Sequence, residues 1–267
     1  MSSPSIVALI PAKATSVRVP GKNVRKLGGH PLLAWTIATA WESAIFVDVI
    51  VSTDSEDIAD TARNYGAATI MRPKAFATET SPDIDWVTHA LISPQVMGSA
   101  DAFAILRPTS PFRTAETIRR AWDQFRSAEG AYSLRAVHKC TEHPYKMWQA
   151  YEDGSGEKRI KPLFNAPSGE TPWHSSQYQT LPEIYVQNAS LEIAWTKVVS
   201  ETYSISGDIV MPFFTYDHEG FDINLEEDFM QAEELVERGT VTLPILLPSL
   251  PNWDNNMSMI YADGKAV

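Results

Sequence analysis

The stretch Ile6–Asn23, IVALIPAKATSVRVPGKN, decides how this chain is read. Ile6-Val7-Ala8-Leu9-Ile10 is a short, continuous apolar run with no alternation. That pattern suits a strand buried on both faces of a parallel sheet. The run breaks at Pro11 into a loop of small residues punctuated by cations. From Lys13 to Lys26 there are five basic residues (Lys13, Arg18, Lys22, Arg25, Lys26) and no acidic one. Backbone N–H groups in a small-residue loop, together with several cations, form a receptor for a polyphosphate. A solvated basic surface loop is the other reading of the same letters, because charge runs are commonly just wet.

Around this stretch the chain reads as alternating strand and helix. Pro31 to Ala44 carries apolar residues at helical spacing (Leu32, Leu33, Trp35, Ile37, Ala40, Trp41), and Val47 to Thr53 reads as a strand. Ser55 is placed to cap a following helix whose first turn holds Glu56 and Asp57, where the helix dipole favours them. A strand is expected over 67–71, a helix over 83–92, a strand over 102–106, a helix over 115–128, a strand over 132–137 and a helix over 225–238. Such alternation predicts an α/β fold, a mostly parallel sheet flanked by helices, with ligand chemistry at the carboxyl ends of the strands.

Composition narrows the function classes. The chain has 267 residues, 44% hydrophobic and 21% charged, with a net charge of −11. The length allows one large domain or a domain with a lobe. An acidic protein with one local basic loop suits a small anionic ligand, and not nucleic acid or an acidic membrane surface. A single cysteine, Cys140, rules out an intrachain disulfide and fits a reducing cytoplasm. The opening MSSPSIVALIPA has no charged leader region, and its apolar run is too short for a membrane segment. The expectation is therefore a cytoplasmic protein.

The basic loop resembles the N-terminal signature of the cytidylyltransferases that activate sialic acid and related nonulosonic acids, roughly A-R-x-x-S-K-x-x-P-x-K-N. Ala12, Ser16, Pro20, Lys22 and Asn23 match it. Lys13 stands for the family's arginine, which keeps the charge and loses the bidentate fork. Val17 replaces a lysine, with Arg18 beside it. RPKAFATETSPDID, beginning at Arg72, resembles the segment that reads cytosine in that family. LRPTSPFR, Leu106 to Arg113, is similar to L-Q-P-T-S-P-L-R, with Arg107 where the family has glutamine, a change that suits a different or more anionic acceptor. Thr109 stands where the related Kdo-activating enzymes place a metal-binding aspartate, and so argues against that branch. His143-Pro144-Tyr145-Lys146 matches H-P-x-K, and YVQNASLEI stands where the family has R-x-N-G-A-I-Y-I, keeping Asn188. Phe221-Asp222-Ile223-Asn224 resembles I-D-I-D.

The resemblance implies a Rossmann-like three-layer nucleotidyltransferase with a middle insertion. It divides into a nucleotide-binding core over 1–137, a dimerisation insertion over 138–184, a return to the core over 185–240 with the metal-binding segment, and an irregular tail over 241–267. It implies attack by the anomeric hydroxyl of a sugar acid on the α-phosphorus of CTP, giving a CMP-sugar and pyrophosphate. Lys22, Lys13 and Asp222 would be catalytic. Ala12, Ser16, Arg18 and Asn23 would join the two lysines around the triphosphate, with Arg72, Thr80 and Ser81 on the base. Arg107, Lys146 and Asn188 would meet the acceptor. Residues i and i+2 of an extended segment share a face, so Asp222 and Asn224 would hold Mg²⁺. Asn224 as a helix cap is the structural alternative. His138, His143 and His174 do not have metal spacing. Two other functions stay open: the same fold with another sugar or NTP, and a degenerate nucleotide-sugar binder, which Val17 and Asn224 suggest.

Overall fold

The computed structural model describes residues 3–16 and 18–246; Val17 and the part of the tail from 247 onward lie outside the described residues. β1 (Ile6–Pro11) lies inside the main sheet, between β6 and β4. Short strands β2 (Lys26–Leu27) and β3 (His30–Pro31) form a small hairpin before α1 (Leu32–Glu42). Then follow β4 (Phe46–Thr53), α2 (Glu56–Asn64), β5 (Ala68–Met71), α3 (Asp83–Leu91), β6 (Ala102–Ile105), α4 (Ala115–Arg126) and β7 (Ser133–Lys139). β8 (Trp148–Glu152) and β9 (Lys158–Pro162) lie in the middle of the chain. β10 (Tyr185–Trp195), α5 (Thr196–Thr202), β11 (Val210–Phe214) and α6 (Glu226–Glu237) complete the described elements.

The seven-stranded sheet has the order β11-β7-β10-β6-β1-β4-β5. β1 pairs in parallel with β4 and β6, and β4 in parallel with β5. β10 runs antiparallel to β6, with Glu192 opposite Ile105 and Trp195 opposite Ala102. The uninterrupted apolar run of β1 has a direct cause. Ile6, Ala8 and Ile10 enter one core with α1, α2 and α4, while Val7 and Leu9 enter another with α3 and α5. Successive side chains point to opposite faces, and both faces are covered, so no position on β1 is left for a polar residue. Helices on both faces of a mostly parallel sheet make the three-layer, Rossmann-like architecture.

The helix ends follow local chemistry. Ser55 Oγ accepts from Ile58 N–H at 3.4 Å, and Glu56 and Asp57 sit in the first turn of α2. Thr114 and Thr117 form a reciprocal capping box at the start of α4. At α6 the cap comes from inside the helix: Asp228 Oδ2 accepts from the N–H groups of both Asn224 and Leu225 at 2.8 Å. The Asn224 side chain therefore does not cap α6, which corrects the structural alternative drawn from sequence. A third core behind the basic loop joins Val19, Leu27, Leu32 and Trp35 to Phe112, Ile223 and Phe229.

The chain divides into two compact units, Val137–Gln187 and the remainder. In the smaller unit β8 and β9 form an antiparallel hairpin, and Tyr145 stacks on Trp173 with ring centroids 3.8 Å apart. Met147, Trp148, Ile160, Leu163 and Phe164 are exposed there. The hairpin is hard to read from sequence because its strands carry Lys158, Arg159 and Lys161 among few apolar residues.

One charge in the larger unit is structural. Arg113, at the end of LRPTSPFR, is 2% exposed. It donates to the carbonyl oxygen of Ser190 and, at 3.4 Å, to Thr36 Oγ1. Burial pushes its guanidinium down to about 9, so it is still a cation at neutral pH. Arg113→Ala strands buried acceptors whose loss costs about 1–3 kcal/mol each. The expected result is a destabilisation of about 2–4 kcal/mol in urea unfolding, against a change within about 0.5 kcal/mol for exposed Arg126→Ala.

Candidate active site

A cleft of about 660 Å³ opens in the larger unit, where β1, β5 and β6 give way to loops. It brings together most of the residues that the sequence singles out. Lys13, Ser16, Arg18, Lys22, Asn23, Arg72, Ser81, Arg107, Asp222 and Asn224 all line it. Ala12 is buried just behind, its N–H donating to Ser52 O at 3.0 Å, which extends the pairing of β1 with β4. Thr80 is exposed and off the wall, and Asn188 is buried with Ala189 at the wall in its place. Lys146 belongs to the smaller unit, where its ammonium donates to the carbonyls of Ser176 at 2.7 Å and His174 at 3.3 Å.

The basic loop is pinned from three sides. Ala14 N–H donates to Asp54 Oδ1 at 2.7 Å. Asn23 Nδ2 donates to Lys13 O at 3.1 Å, tying the two ends of the loop together. The carbonyls of Arg25 and Asn23 accept from Leu32 and Leu33 N–H, each at 2.9 Å. Those two N–H groups open α1 and have no partner inside the helix, so the loop supplies what the helix end needs. Gly21 sits at φ +64°, a conformation that glycine adopts at no steric cost, and its carbonyl accepts from Val24 and Arg25 N–H at 3.0 Å.

Lys22 ties the loop to the segment that carries Asp222. Its ammonium donates to Ile223 O at 2.9 Å. Burial pulls its pKa down, while Asp222 pushes it back up. Ile223 N–H in turn donates to Thr109 O at 2.9 Å, so the segment carrying Asp222 is fixed to the loop after β6. Asp222 uses its two oxygens differently. Oδ2 accepts from Asn224 Nδ2 at 2.6 Å, whereas Oδ1 is buried and has no hydrogen-bond partner. A buried, unpartnered carboxylate oxygen is costly unless something cationic meets it. With the Asn224 amide oxygen nearby, this donor set fits a hard divalent cation that takes oxygen ligands and keeps several waters. Among the described residues no group of three or more His, Cys, Asp or Glu forms a metal cluster.

Arg72 is 6% exposed. Its Nε and Nη2 donate to Ser52 Oγ and Ser52 O at 3.1 and 3.0 Å, and its guanidinium lies 4.9 Å from the centre of the Trp86 ring. Burial lowers its pKa to about 10, which leaves it charged at neutral pH. Ser81 Oγ pairs with Thr78 Oγ1 at 2.6 Å and donates to Ala75 O at 2.9 Å, closing the turn that follows Arg72.

Arg107 carries two carboxylates. Its Nη2 reaches Asp83 Oδ2 at 2.5 Å and Glu192 Oε1 at 2.9 Å, and Arg135 pairs with Glu192 from behind. The charge of Arg107 is thus already matched, which argues against the more anionic acceptor that the sequence suggests. Sequence reading missed Asp83, Trp86 and Glu192. Glu192 did leave a signal: a carboxylate inside the apolar run SLEIAW is almost never buried unless paired.

Comparison with known proteins finds relatives of this chain. The model of the family described as Cytidylyltransferase matches residues 7–180. The CMP-N,N'-diacetyllegionaminic acid synthase of Legionella pneumophila is 35% identical over 235 residues, covering 87% of this chain and 96% of that protein. The N-acylneuraminate cytidylyltransferase of Escherichia coli O18:K1:H7 is 39% identical over 124 residues, 46% of this chain and 29% of its own length. In fold, the chain is similar to a solved CMP:2-keto-3-deoxy-manno-octonic acid synthetase complexed with CTP. The TM-score is 0.62 at 13% identity, covering 88% of this chain and 99% of that one.

The tie from Asn23 to Lys13 O makes a prediction independent of ligand. Asn23→Ala removes the donor that closes the basic loop. Hydrogen exchange of the amides from 12 to 22 is expected to speed up by about tenfold, in line with the loss of one side-chain hydrogen bond. Exchange in β6 is expected to stay as it is.

Proposed function

The chain belongs to the cytidylyltransferase family, and from that premise we propose that it activates a nonulosonic, sialic-acid-like sugar acid with CTP. The observation that carries the reading is the meeting of Lys13, Arg18, Lys22 and Arg72 in one cleft with the unpartnered Oδ1 of Asp222. Relatives named for legionaminic, neuraminic and pseudaminic acids support the choice of acceptor class.

In the proposed reaction the anomeric hydroxyl oxygen of the acceptor forms a bond to the α-phosphorus of CTP. The bond from that phosphorus to the bridging oxygen breaks, pyrophosphate leaves, and the hydroxyl proton passes to solvent. Little covalent chemistry is asked of the protein; positioning and charge neutralisation supply the rate. Lys22, Lys13 and Arg18 take the triphosphate, and Ser16 and the loop N–H groups complete its cradle. Lys22, held by Ile223 O and partly desolvated, is a fixed cation that needs no reorganisation as charge builds on the leaving group. Asn23 acts by closing the loop. Arg72, locked on Ser52, presents a fixed edge beside Trp86 for the base, with Ser81 next to it. Asp222 Oδ1 and the Asn224 amide oxygen would hold Mg²⁺, which when bound neutralises phosphate charge and acidifies the attacking hydroxyl.

The smaller unit supports a homodimer: its exposed Met147, Trp148, Ile160 and Phe164 are apolar area that a second copy would cover. Lys146 would then offer its remaining donor capacity to an acceptor carboxylate. A cytoplasmic site of action fits the single cysteine, and no described helix is long and apolar enough to cross a membrane.

The test is pyrophosphate release with Mg²⁺, each of the four NTPs, and N-acetylneuraminic, N,N'-diacetyllegionaminic and pseudaminic acids. Release is expected with CTP alone. Lys22→Ala and Asp222→Ala are each expected to lower kcat by about 10²–10³-fold, the size seen when one fixed electrostatic contact to the transition state is lost. Release with a different NTP would overturn the assignment of the base. Tight CTP binding without release for any acid would make the chain a nucleotide-binding protein and not an enzyme.

A further inference from the structure

Asp222 lies in an irregular segment between β11 and α6. Such a segment has no ladder or helix bonds of its own, so its placing depends on what it is tied to. Downstream of Asp222 the ties are Ile223 N–H on Thr109 O, and Asp228 on the N–H groups of Asn224 and Leu225. Upstream they converge on the carboxylate of Glu219. The turn before it closes on itself: Glu219 N–H donates to Tyr216 O at 3.0 Å, and Glu219 Oε2 accepts from Tyr216 N–H at 2.9 Å. Inside that turn Asp217 stands at φ +48°, a left-handed conformation that persists where surrounding contacts over-determine it. Glu219 Oε1 takes the Thr117 hydroxyl at 2.7 Å, and Arg120 Nη2 reaches both carboxylate oxygens, at 2.9 and 2.8 Å. Thr117 and Arg120 share a face of α4. The Arg120 guanidinium lies over the rings of Phe213 and Tyr216, 4.8 and 5.3 Å from their centres. Gly220, next along, has no room for a side chain: a Cβ there would stand 2.8 Å from both Asn188 Nδ2 and Thr215 Oγ1. Phe221 then packs on Phe112, with ring centroids 5.2 Å apart.

We propose that the clamp of Glu219 on Arg120 and Thr117 aims Asp222 into the cleft, so that Glu219 is a positioning residue for the transfer reaction and acts through Asp222. This role rests on the proposed cytidylyl transfer, in which the Asp222 carboxylate takes part. A partly exposed ion pair alone holds little. Glu219, with its side chain 18% exposed, instead gathers a hydroxyl, a guanidinium and a backbone N–H on one carboxylate. The chain fixed in this way runs on through Gly220 and Phe221 to the carboxylate whose Oδ1 is buried and has no hydrogen-bond partner. A residue of chain spans at most about 3.6 Å, so little slack separates the clamp from Asp222, and a shift of the turn is passed on to it. The Thr117 hydroxyl also accepts from Thr114 N–H at 3.2 Å in the capping box of α4. The start of a packed helix and the placing of Asp222 thus share one side chain.

The test joins a double-mutant cycle to hydrogen exchange. Glu219→Gln removes the charge of the clamp, and Arg120→Met removes its partner while filling the space between the two rings. Each is expected to lower kcat for pyrophosphate release by about 10–100-fold, the scale on which a small misplacement of a group costs rate. The CTP KM is expected to stay within about twofold, as when an interaction is lost in the transition state alone. In an Asp222→Asn background neither substitution is expected to lower kcat further, because its route is gone. In the nucleotide-free protein the bonded amides of Tyr216, Glu219, Phe221 and Ile223 are expected to exchange about tenfold faster in both variants. Arg119→Gln, on the same helix, is expected to change neither rate nor exchange. An equal loss of kcat with and without Asp222, or faster exchange with kcat unchanged, would overturn the positioning role and leave Glu219 as a structural ion pair. If Glu219→Gln does not fold, Arg120→Met decides by the same criteria. A wild type that releases no pyrophosphate with any acid takes down the functional reading and this role together. The exchange rates still show in that case whether the clamp holds the segment, so the two failures are told apart.

Discussion

The interaction on which the rest depends is the welding of the basic loop to the start of α1. Two carbonyls of the loop, those of Asn23 and Arg25, take the first two N–H groups of the helix. Without a side-chain cap at Pro31, α1 has no other described partner for them. The helix is buried on nearly every side, so these donors have no easy recourse to water. The need to satisfy them fixes where Asn23 stands. Asn23 fixes Lys13 through its side-chain amide, and the turn at Gly21 then carries Lys22 to Ile223. The demands of one helix end thus propagate into the placing of two cations, Lys13 and Lys22.

Crowding cations is unfavourable in the absence of an anion, and the fold offsets the cost in different ways at each one. Lys22 and Lys13 are met by carbonyl dipoles, and Lys22 also by the field of Asp222. Arg72 is met by both oxygens of Ser52 and by the face of Trp86. Among the described cations that line the cleft, Arg107 is the one that receives formal negative charges at hydrogen-bond distance. Carbonyls and ring faces hold a cation in position without cancelling its charge, so the first group keeps a net field for a polyanion. That is preorganisation in the electrostatic sense: the field stands before a ligand arrives.

Legibility in the sequence followed the same physical divide. The buried strands and capped helices could be read, because burial on both faces leaves no polar letter in β1 and a cap leaves Ser55 and Thr114 where they are needed. The loop residues could be grouped because they lie close in sequence or in quoted motifs. What could not be read was pairing across long separations. Asp83 and Glu192 lie 24 and 85 residues from Arg107, and nothing in the letters joins them. The same holds for Arg113, whose burial against Ser190 is set by how β10 lies beside β6. The antiparallel entry of β10 is itself invisible to a pattern of alternating strands and helices. The alternative of Asn224 as a cap fails for a local reason: the carboxylate of Asp228, four residues on, takes the N–H groups of Asn224 and Leu225.

Asn224 also shows how a departure from a family pattern can be assessed physically. An amide in place of a carboxylate brings no charge to a cation, yet it brings a donor. Here that donor is spent on Asp222 Oδ2 and leaves Oδ1 as the oxygen without a partner. A second carboxylate at this place would repel Asp222, raise the pKa of one of the pair, and draw Lys22 more strongly. The amide avoids that repulsion and fixes the rotamer of Asp222. The likeness to the family motif in this segment is therefore one of geometry more than of charge: one carboxylate oxygen is aimed by a neutral neighbour, and Lys22 stands beside it.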